Sequence, residues 1–264
     1  MPRFCSLFSS SSGNSTYISS SKTGILVDAG VSAKKMKEAL LGRDIDPSKL
    51  GGIFVTHEHS DHIKGARILA STYKIPLFAT EGTMSALEEN GVVTSKFPFE
   101  VIPYEGMQVG DIFVRPFRTP HDSAESCGYR IEFADGQKAA IATDIGKITD
   151  EIKSNLFGCE LVMLESNHDI GMLQNGPYPY ALKRRILSDV GHLSNIACAD
   201  MTAELVSKGT SRIFLGHLSQ DNNFPDLAYQ TNLSTIREKT GAVIGKDFLM
   251  EVNKVENNMG IIRF

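Results

Sequence analysis

The sequence lacks the features that mark secreted, membrane-spanning or generally basic proteins. Its four cysteines are scattered with no C-x-x-C pair, which favours reduced thiols in a reducing cytoplasm. No apolar run approaches the length of a membrane span, and the N-terminus lacks a charged-then-apolar signal pattern. The net charge of −4 gives no general attraction to nucleic acid or anionic membrane, so any basic site must be local. We therefore expect a soluble, cytoplasmic protein.

What remains is the composition of an ordinary globular domain. Hydrophobic residues make up 41% and charged residues 22% of the 264 positions, and this length is enough to bury a substantial core. No internal repeat, low-complexity tail or linker divides the chain, which predicts a single domain over residues 1–264.

Hydrophobic periodicity and turn residues predict an α/β (α+β) fold. Predicted strands cover 4–8, 15–20, 24–27, 52–55, 77–79, 100–102, 111–118, 129–133, 138–142, 161–164, 212–215 and 248–252. Predicted helices follow Ser32 and cover 65–74, 80–87, 180–189, 194–208 and 226–239, with Ile68 and Leu69 facing inward in the first of these ranges. Strands in the middle with helices outside indicate two packed mixed sheets flanked by helices.

The most informative stretch is Thr56-His57-Glu58-His59-Ser60-Asp61-His62, which reads H-x-H-x-D-H after an apolar strand. Imidazoles and carboxylates are ligands that zinc, manganese and iron accept. Because alternate residues of an extended segment share a face, His57 and His59 can point in one direction. Asp61 and His62 then turn toward a neighbouring position, an arrangement that suits two ions better than one. The alternative is a polar surface loop with chance histidines.

Three more ligand-type residues, His121, Asp144 and His217, each follow a predicted strand. Rigid scaffolds often present functional side chains on the loops at strand ends. Any one of these residues alone would more often face solvent or cap a helix. Together with the H-x-H-x-D-H stretch, they favour a shared metal centre.

Two further segments are candidates for a role beside the metals. His192 precedes Ser194, the expected N-cap of a helix, and an imidazolium there could donate a proton to a leaving alkoxide. A helix-capping or solvent histidine is the alternative. The segment 165–169 ends a strand and is expected to line the cleft or support the ligands, with no role assigned to His168.

A local basic cluster lies in the segment 178–186, upstream of His192. Lys183 and Arg184 could bind phosphate oxygens, and Tyr180 could stack on a base. We predict these three residues to contact substrate; a solvated helix face is the alternative.

These motifs, in this order, resemble those of metallo-β-lactamase-fold hydrolases over nearly the whole chain. The closest resemblance is to the bacterial YycJ/WalJ group, related to the transfer-RNA 3′-processing endonuclease tRNase Z and to phosphodiesterases. It implies an αββα sandwich with the site at the sheet edges. It also implies one metal held by His57, His59 and His121, a second held by Asp61, His62 and His217, and Asp144 as the bridge. The true β-lactamases have cysteine in place of Asp144 and no histidine at position 62, a difference that argues against antibiotic hydrolysis.

The resemblance implies a phosphodiester hydrolase that uses two divalent ions (zinc, manganese or iron). Its substrate would be nucleic acid, with a 5′-to-3′ DNA exonuclease as the leading hypothesis and RNA as a second substrate class. Asp61 would bind metal and orient the nucleophile, and His192 would protonate the leaving oxygen. The runner-up is a phosphodiesterase for small cyclic or nucleotide substrates. A glyoxalase II-type thioester hydrolase fits less well, because it needs neither His192 nor the basic cluster.

Overall fold

The computed structural model describes residues 1–256 and 260–264, and in these ranges the strands form two seven-stranded sheets. The first sheet has the order β14-β1-β2-β3-β4-β5-β6 and the second has the order β13-β12-β11-β10-β9-β8-β7. The strands are β1 (Arg3–Phe8), β2 (Ser15–Ser19), β3 (Gly24–Val27), β4 (Leu50–Phe54), β5 (Leu77–Ala79), β6 (Phe99–Val101), β7 (Met107–Val109), β8 (Ile112–Arg118), β9 (Cys127–Phe133), β10 (Lys138–Ala142), β11 (Leu161–Glu165), β12 (Arg212–Gly216), β13 (Leu249–Val252) and β14 (Ile262–Arg263).

Helices connect the parallel strands and cover the outer faces of the two sheets. They are α1 (Ala33–Leu41), α2 (Ser60–Ile63), α3 (Ala66–Tyr73), α4 (Glu81–Glu89), α5 (Asp150–Leu156), α6 (Ile170–Asn175), α7 (Tyr180–Ile186), α8 (Asn195–Ser207) and α9 (Pro225–Thr240). Within the described ranges, none of these helices is long and apolar enough to cross a membrane.

Each sheet is mixed, which explains why strands and helices alternate in only part of the chain. In the first sheet β1, β2 and β3 pair antiparallel, and β3 to β6 pair parallel. In the second sheet β7 to β10 pair antiparallel, and β10 to β13 pair parallel. A hairpin turn at Asp135-Gly136 joins β9 to β10, and Gly136 takes a φ of +86° in this turn.

Three apolar layers hold the sandwich together. Between the sheets, Phe54 stacks on Phe78 with ring centroids 4.8 Å apart and meets the edge of Tyr129 at 5.6 Å. On the outer faces, Met36 and Leu69 pack against the first sheet, while α5, α8 and α9 cover the second. Burying a large apolar side chain of this kind contributes about 1.5–3 kcal/mol. The predicted fold of two mixed sheets flanked by helices is confirmed.

Some local expectations are corrected by the structure. Ile68 was predicted to face inward but is 56% exposed, whereas Leu69 is buried. Helix α3 begins at Ala66, so its buried stripe at i, i+3 and i+4 consists of Ala66, Leu69 and Ala70. Ile68 therefore lies on the opposite face. Helix α7 ends at Ile186 rather than Asp189, and helix α5 was not predicted.

The topology brings several strand ends to one edge of the sandwich. Three residues that directly follow or nearly follow strands, Asp28, Asp144 and His217, have left-handed backbone conformations with φ of 62°, 57° and 54°. This conformation is uncommon outside glycine, and Asp, Asn and His adopt it more readily than most residues. Asp144 and His217 belong to the candidate ligand groups at this edge, and Asp28 bonds to His62 there.

Candidate metal centre

The H-x-H-x-D-H stretch leaves β4 and enters the short helix α2. Its first two histidines meet His121, which follows β8, and ligand-type atoms of the three residues lie within 4.8 Å of one another. His57 Nε2 is 3.1 Å and His121 Nε2 is 3.3 Å from His59 Nδ1. The three residues of the predicted first ligand set therefore lie close together. Two of them follow a strand of the first sheet and the third follows a strand of the second.

The predicted second set lies directly beside the first. Asp61, His62 and His217 also bring ligand-type atoms within 4.8 Å of one another, and so do His57, His62 and Asp144. Asp144 Oδ2 is 3.2 Å from His62 Nε2, and Asp144 Oδ1 is 3.7 Å from His121 Nε2. The carboxylate of Asp144 therefore stands between the two sets, as a bridging ligand requires.

The tautomer of most of these imidazoles is fixed by a neighbour on the side away from the cluster. Nδ1 of His121 donates to the Gly191 carbonyl at 3.1 Å, and Nδ1 of His62 donates to Asp28 Oδ2 at 2.7 Å. Nδ1 of His217 donates to Glu165 Oε1 at 2.8 Å. With Nδ1 occupied, Nε2 is the nitrogen left to bind a metal, an arrangement typical of metal-ligating histidines.

Two carboxylates outside the predicted ligand set, Asp28 and Glu165, support this arrangement. Asp28 accepts hydrogen bonds from the backbone N–H and the hydroxyl of Thr56 at 2.8 and 2.9 Å, in addition to His62. Glu165 accepts from Nδ1 of His192 at 2.8 Å and from the N–H of Leu193 at 3.1 Å. The sequence signal for both carboxylates is their position at a strand end. Asp28 directly follows β3, and Glu165 ends β11 in the segment expected to support the ligands.

The serine-rich turn after β1 closes one side of the centre. Asn14 Nδ2 lies 3.1 Å from His62 Nε2 and 3.3 Å from Asp61 Oδ2, and the Asn14 N–H donates to the Asp61 carbonyl at 2.8 Å. Gly30 packs against the same carbonyl, where a Cβ atom would lie only 1.6 Å from the oxygen. This close approach requires glycine at position 30.

The electrostatics of the metal-free cluster depend on its own imidazoles. Burial alone would lower the pKa of His62, but the carboxylates of Asp28 and Asp144 raise it well above its ordinary value. Burial likewise opposes protonation of His217, yet Asp144 and Glu165 raise its pKa to about 10. Imidazolium charge thus balances the buried carboxylates where cations would otherwise do so.

The donor set fits divalent cations of the zinc, manganese or iron type. His217 Nε2 is buried and makes no hydrogen bond within the described residues, and Asp61 Oδ2 lies 3.7 Å from it. A buried imidazole nitrogen that has no hydrogen-bond partner and faces a carboxylate fits the role of a metal ligand.

His192 lies beside the ligands but faces Glu165. Its ring centroid is 5.2 Å from that of His121 and 5.3 Å from that of His217. Nδ1 of His192 and Nδ1 of His217 share the Glu165 carboxylate, with Asp144 Oδ1 at 3.7 and 3.6 Å. Nδ1 of His192 is thus occupied, and Nε2 is its ring nitrogen outside these contacts.

The basic segment forms α7, and its side chains make different contacts. Tyr180 is 76% exposed, and the Arg184 guanidinium carbon lies 5.9 Å from its ring centroid. The ammonium of Lys183 donates to the carbonyls of Gln174 and Gly176 at 2.8 and 2.7 Å, where it holds the end of α6. Substrate contact by Tyr180, Lys183 and Arg184 stays a prediction.

His168 is buried near Glu165, and within the described residues neither of its ring nitrogens has a hydrogen-bond partner. Burial lowers its pKa to about 4. Its imidazole is therefore neutral at physiological pH, and it is not among the ligand groups described above.

Comparison with known proteins agrees with this geometry. The model of the β-lactamase superfamily domain matches residues 23–217. The chain is 40% identical over 248 residues to the exodeoxyribonuclease YycJ of Bacillus anthracis, covering 93% of this chain and 92% of that protein. It is 38% identical over 251 residues to the exodeoxyribonuclease WalJ of Streptococcus pneumoniae, with coverage of 93% and 92%.

A solved structure shows the same fold at much lower identity. Zn²⁺-bound PqqB of Methylobacterium extorquens superposes with a TM-score of 0.73 at 15% identity, over 100% of both chains. Three findings identify the family. They are the match to the family domain, the extended identity to YycJ and WalJ, and the cluster of candidate ligands at the sheet edge. The chain belongs to the metallo-β-lactamase superfamily of metal-dependent hydrolases, in its YycJ/WalJ group.

Proposed function

We propose that this protein is an exodeoxyribonuclease that uses two divalent metal ions and degrades DNA from the 5′ end. The observation that carries the proposal is the pair of adjoining ligand sets joined by Asp144, with His192 held at their side by Glu165. The relatives that match over most of the chain are named exodeoxyribonucleases, which supports DNA as the substrate.

The residues in place define what each metal would contact. His57, His59 and His121 would hold one ion, Asp61, His62 and His217 would hold the other, and Asp144 would contact both. When bound, such ions polarise a phosphoryl oxygen and make water a nucleophile at neutral pH.

The protein itself positions the reacting groups. Asn14 Nδ2 donates to Asp61 Oδ2 at 3.3 Å, and the same oxygen lies 3.7 Å from His217 Nε2, so Oδ2 is directed toward the cluster. His192 donates its Nδ1 proton to Glu165, which leaves Nε2–H to face the leaving oxygen. Burial opposes the charge on His192, but Glu165 outweighs it and raises the pKa, so the imidazolium that a general acid requires is favoured.

A small-substrate phosphodiesterase is the second candidate, since the net charge of −4 gives the whole molecule no attraction to polyanions. Both candidates use the same centre and differ in what extends beyond the reacting phosphate. Thioester hydrolysis would leave His192 without a task, because a thiolate leaves without protonation.

The deciding experiment uses protein loaded with one defined metal at a time. Double- and single-stranded DNA, RNA and bis(p-nitrophenyl) phosphate are offered in parallel, with DNA labelled at the 5′ or at the 3′ end. We expect early release of labelled mononucleotide from 5′-labelled DNA only. Release from the 3′ label first would reverse the polarity, and cleavage of the small diester alone would establish the second candidate.

A further inference from the structure

A salt bridge between Asp122 and Arg185 lies next to the metal centre. Asp122, which follows the ligand His121, binds the guanidinium of Arg185 on α7 through both carboxylate oxygens. Nη2 of Arg185 donates to Asp122 Oδ1 at 2.9 Å, and Nε donates to Oδ2. Asp122 Oδ1 is in turn 3.4 Å from His121 Nε2. The arginine is thereby tied to the edge of the cluster.

This pairing uses one edge of the guanidinium and leaves the other free. Arginine has two bidentate edges, one formed by Nε and Nη2 and one formed by Nη1 and Nη2. Asp122 takes the first, and it is the one acceptor that Arg185 has among the described residues. The Arg185 side chain is 47% exposed. Its second edge is therefore a solvent-facing fork whose geometry matches a phosphate.

The charge of Arg185 also interacts with carboxylates of the candidate metal centre. The hydrogen bond to Asp122 raises the pKa of Arg185, and the more distant carboxylates of Asp144 and Asp61 add to this effect. The Arg185 guanidinium thus lies within electrostatic reach of the residues that would hold the metals.

Neighbouring basic residues on α7 do not share this position. Successive residues on a helix point about 100° apart, so only one of the three can face Asp122. Lys183 is occupied by carbonyls at the end of α6, and Arg184 lies over Tyr180.

We propose that the free edge of Arg185 binds a phosphate of the DNA strand next to the one being cleaved, with Asp122 holding the guanidinium in place. Arg185 is then a positioning residue for polymeric substrates, and its contact makes the protein prefer nucleic acid to small diesters. The inference rests on the proposed nuclease function and adds to it the contact that reads the neighbouring phosphate.

The test compares Arg185→Ala with Arg237→Ala, a matched control that removes an exposed arginine from the last turn of α9. Metal content and unfolding midpoint are measured first. For Arg185→Ala we expect KM for DNA to rise about 10- to 100-fold, the loss typical of one hydrogen-bonded ionic contact. The slope of log(kcat/KM) against log salt should fall by roughly 0.7–0.9, as for one lost phosphate contact.

The small diester supplies the discriminating measurement, because bis(p-nitrophenyl) phosphate has no neighbouring phosphate. Its cleavage by Arg185→Ala should stay within about threefold of the parent protein, below the size of one lost contact. Arg185→Lys should recover only part of the DNA affinity, since lysine offers no bidentate edge. A parallel loss on the small diester, or an equal effect of Arg237→Ala, would overturn the assignment.

The outcomes separate this inference from the proposed function. If the parent protein fails to degrade DNA, the nuclease proposal fails before any variant is compared. If the parent protein degrades DNA and Arg185→Ala leaves KM and the salt slope unchanged, only the role of Arg185 is wrong.

Discussion

Nδ1 of His192 donates a hydrogen bond to Oε1 of Glu165 at 2.8 Å. The same oxygen accepts from Nδ1 of His217, also at 2.8 Å. One carboxylate thus orients both the expected proton donor and an expected metal ligand. Metal binding and proton delivery are therefore coupled through a single buried group, which can be tested by changing that group alone.

Glu165→Gln keeps the shape of this side chain and removes its charge. We expect metal affinity to fall about 10- to 100-fold, as is usual when a carboxylate behind a ligating histidine is lost. Turnover at saturating metal should fall as well, because His192 loses its charged partner. Titration against a chromophoric chelator and steady-state kinetics measure the two effects. Glu204→Gln, which alters the surface pair with Lys153, is the control. Unchanged values for Glu165→Gln would contradict the coupling.

His192→Ala should separate chemistry from metal binding. We expect bound metal to stay at the parent level and kcat on DNA to fall about 10²- to 10⁴-fold, the usual contribution of a general acid. The loss should be much smaller on bis(p-nitrophenyl) phosphate, since p-nitrophenolate leaves without a proton. Metal analysis of the purified variant completes the test. A variant that has lost metal together with activity would show that His192 is a ligand.

Asp28→Asn tests the carboxylate behind His62. Asparagine tolerates the φ of 62° at this position, so the backbone should be unaffected. The bond from His62 Nδ1 at 2.7 Å loses its charge-assisted character. We expect one of the two metal-binding steps to weaken about 10- to 100-fold while the other stays near the parent value. Calorimetric titration of the metal-free protein resolves the steps, and equal weakening of both would refute a role specific to His62.

The metal-free protein should lose stability as the pH rises from about 7 to 10. The folded pKa of His217, about 10, lies above its ordinary value, so its stabilising charge is fully present below that ordinary value. This contribution is lost as pH rises through the folded pKa, and Asp144 and Glu165 then lose the counter-charge that His217 supplies. Even 1 kcal/mol corresponds to roughly 2–4 °C in unfolding midpoint for a domain of this size.

Thermal unfolding with and without chelator measures this dependence. The metal-loaded protein provides the comparison, because bound cations replace the imidazolium charge and should flatten the curve. A metal-free protein whose midpoint is constant over this range would contradict the assigned charge state of the cluster.

The cysteines should be inert in the native protein. All four side chains are buried, and burial raises the pKa of Cys159 to about 11 and that of Cys198 to about 12. Since the thiolate is the reactive form, we expect less than one thiol per chain to react with Ellman's reagent at pH 8. In denaturant all four should react. Rapid labelling of the folded protein would indicate an opening that the structure does not contain.

The positions of the candidate ligands were predictable from sequence because each follows an apolar strand. Parallel strands end at a common edge, so His57, Asp144 and His217 could be expected to meet even before the strand order was known. The strand polarity itself depended on pairing between distant segments and could not be read from local patterns.

The partners of those ligands were harder to predict. Asp28 and Glu165 act through contacts across 34 and 52 positions of sequence, with His62 and His217. In the run Lys183-Arg184-Arg185, helical rotation and the position of Asp122 decide which cation faces the centre. Residue spacing reveals neither these long-range contacts nor the orientation of Arg185. Helix α5 was not predicted because only Ile152 and Leu156 of its seven residues are buried.

The left-handed residues at three strand ends restrict how this protein can be altered. Asp28, Asp144 and His217 all take backbone angles that β-branched side chains avoid. A mutational library aimed at new metal preference would therefore give folded members mainly with asparagine, aspartate, histidine or glycine at these sites. The residue types that these three positions accept are thus restricted by backbone conformation as much as by affinity for metal ions.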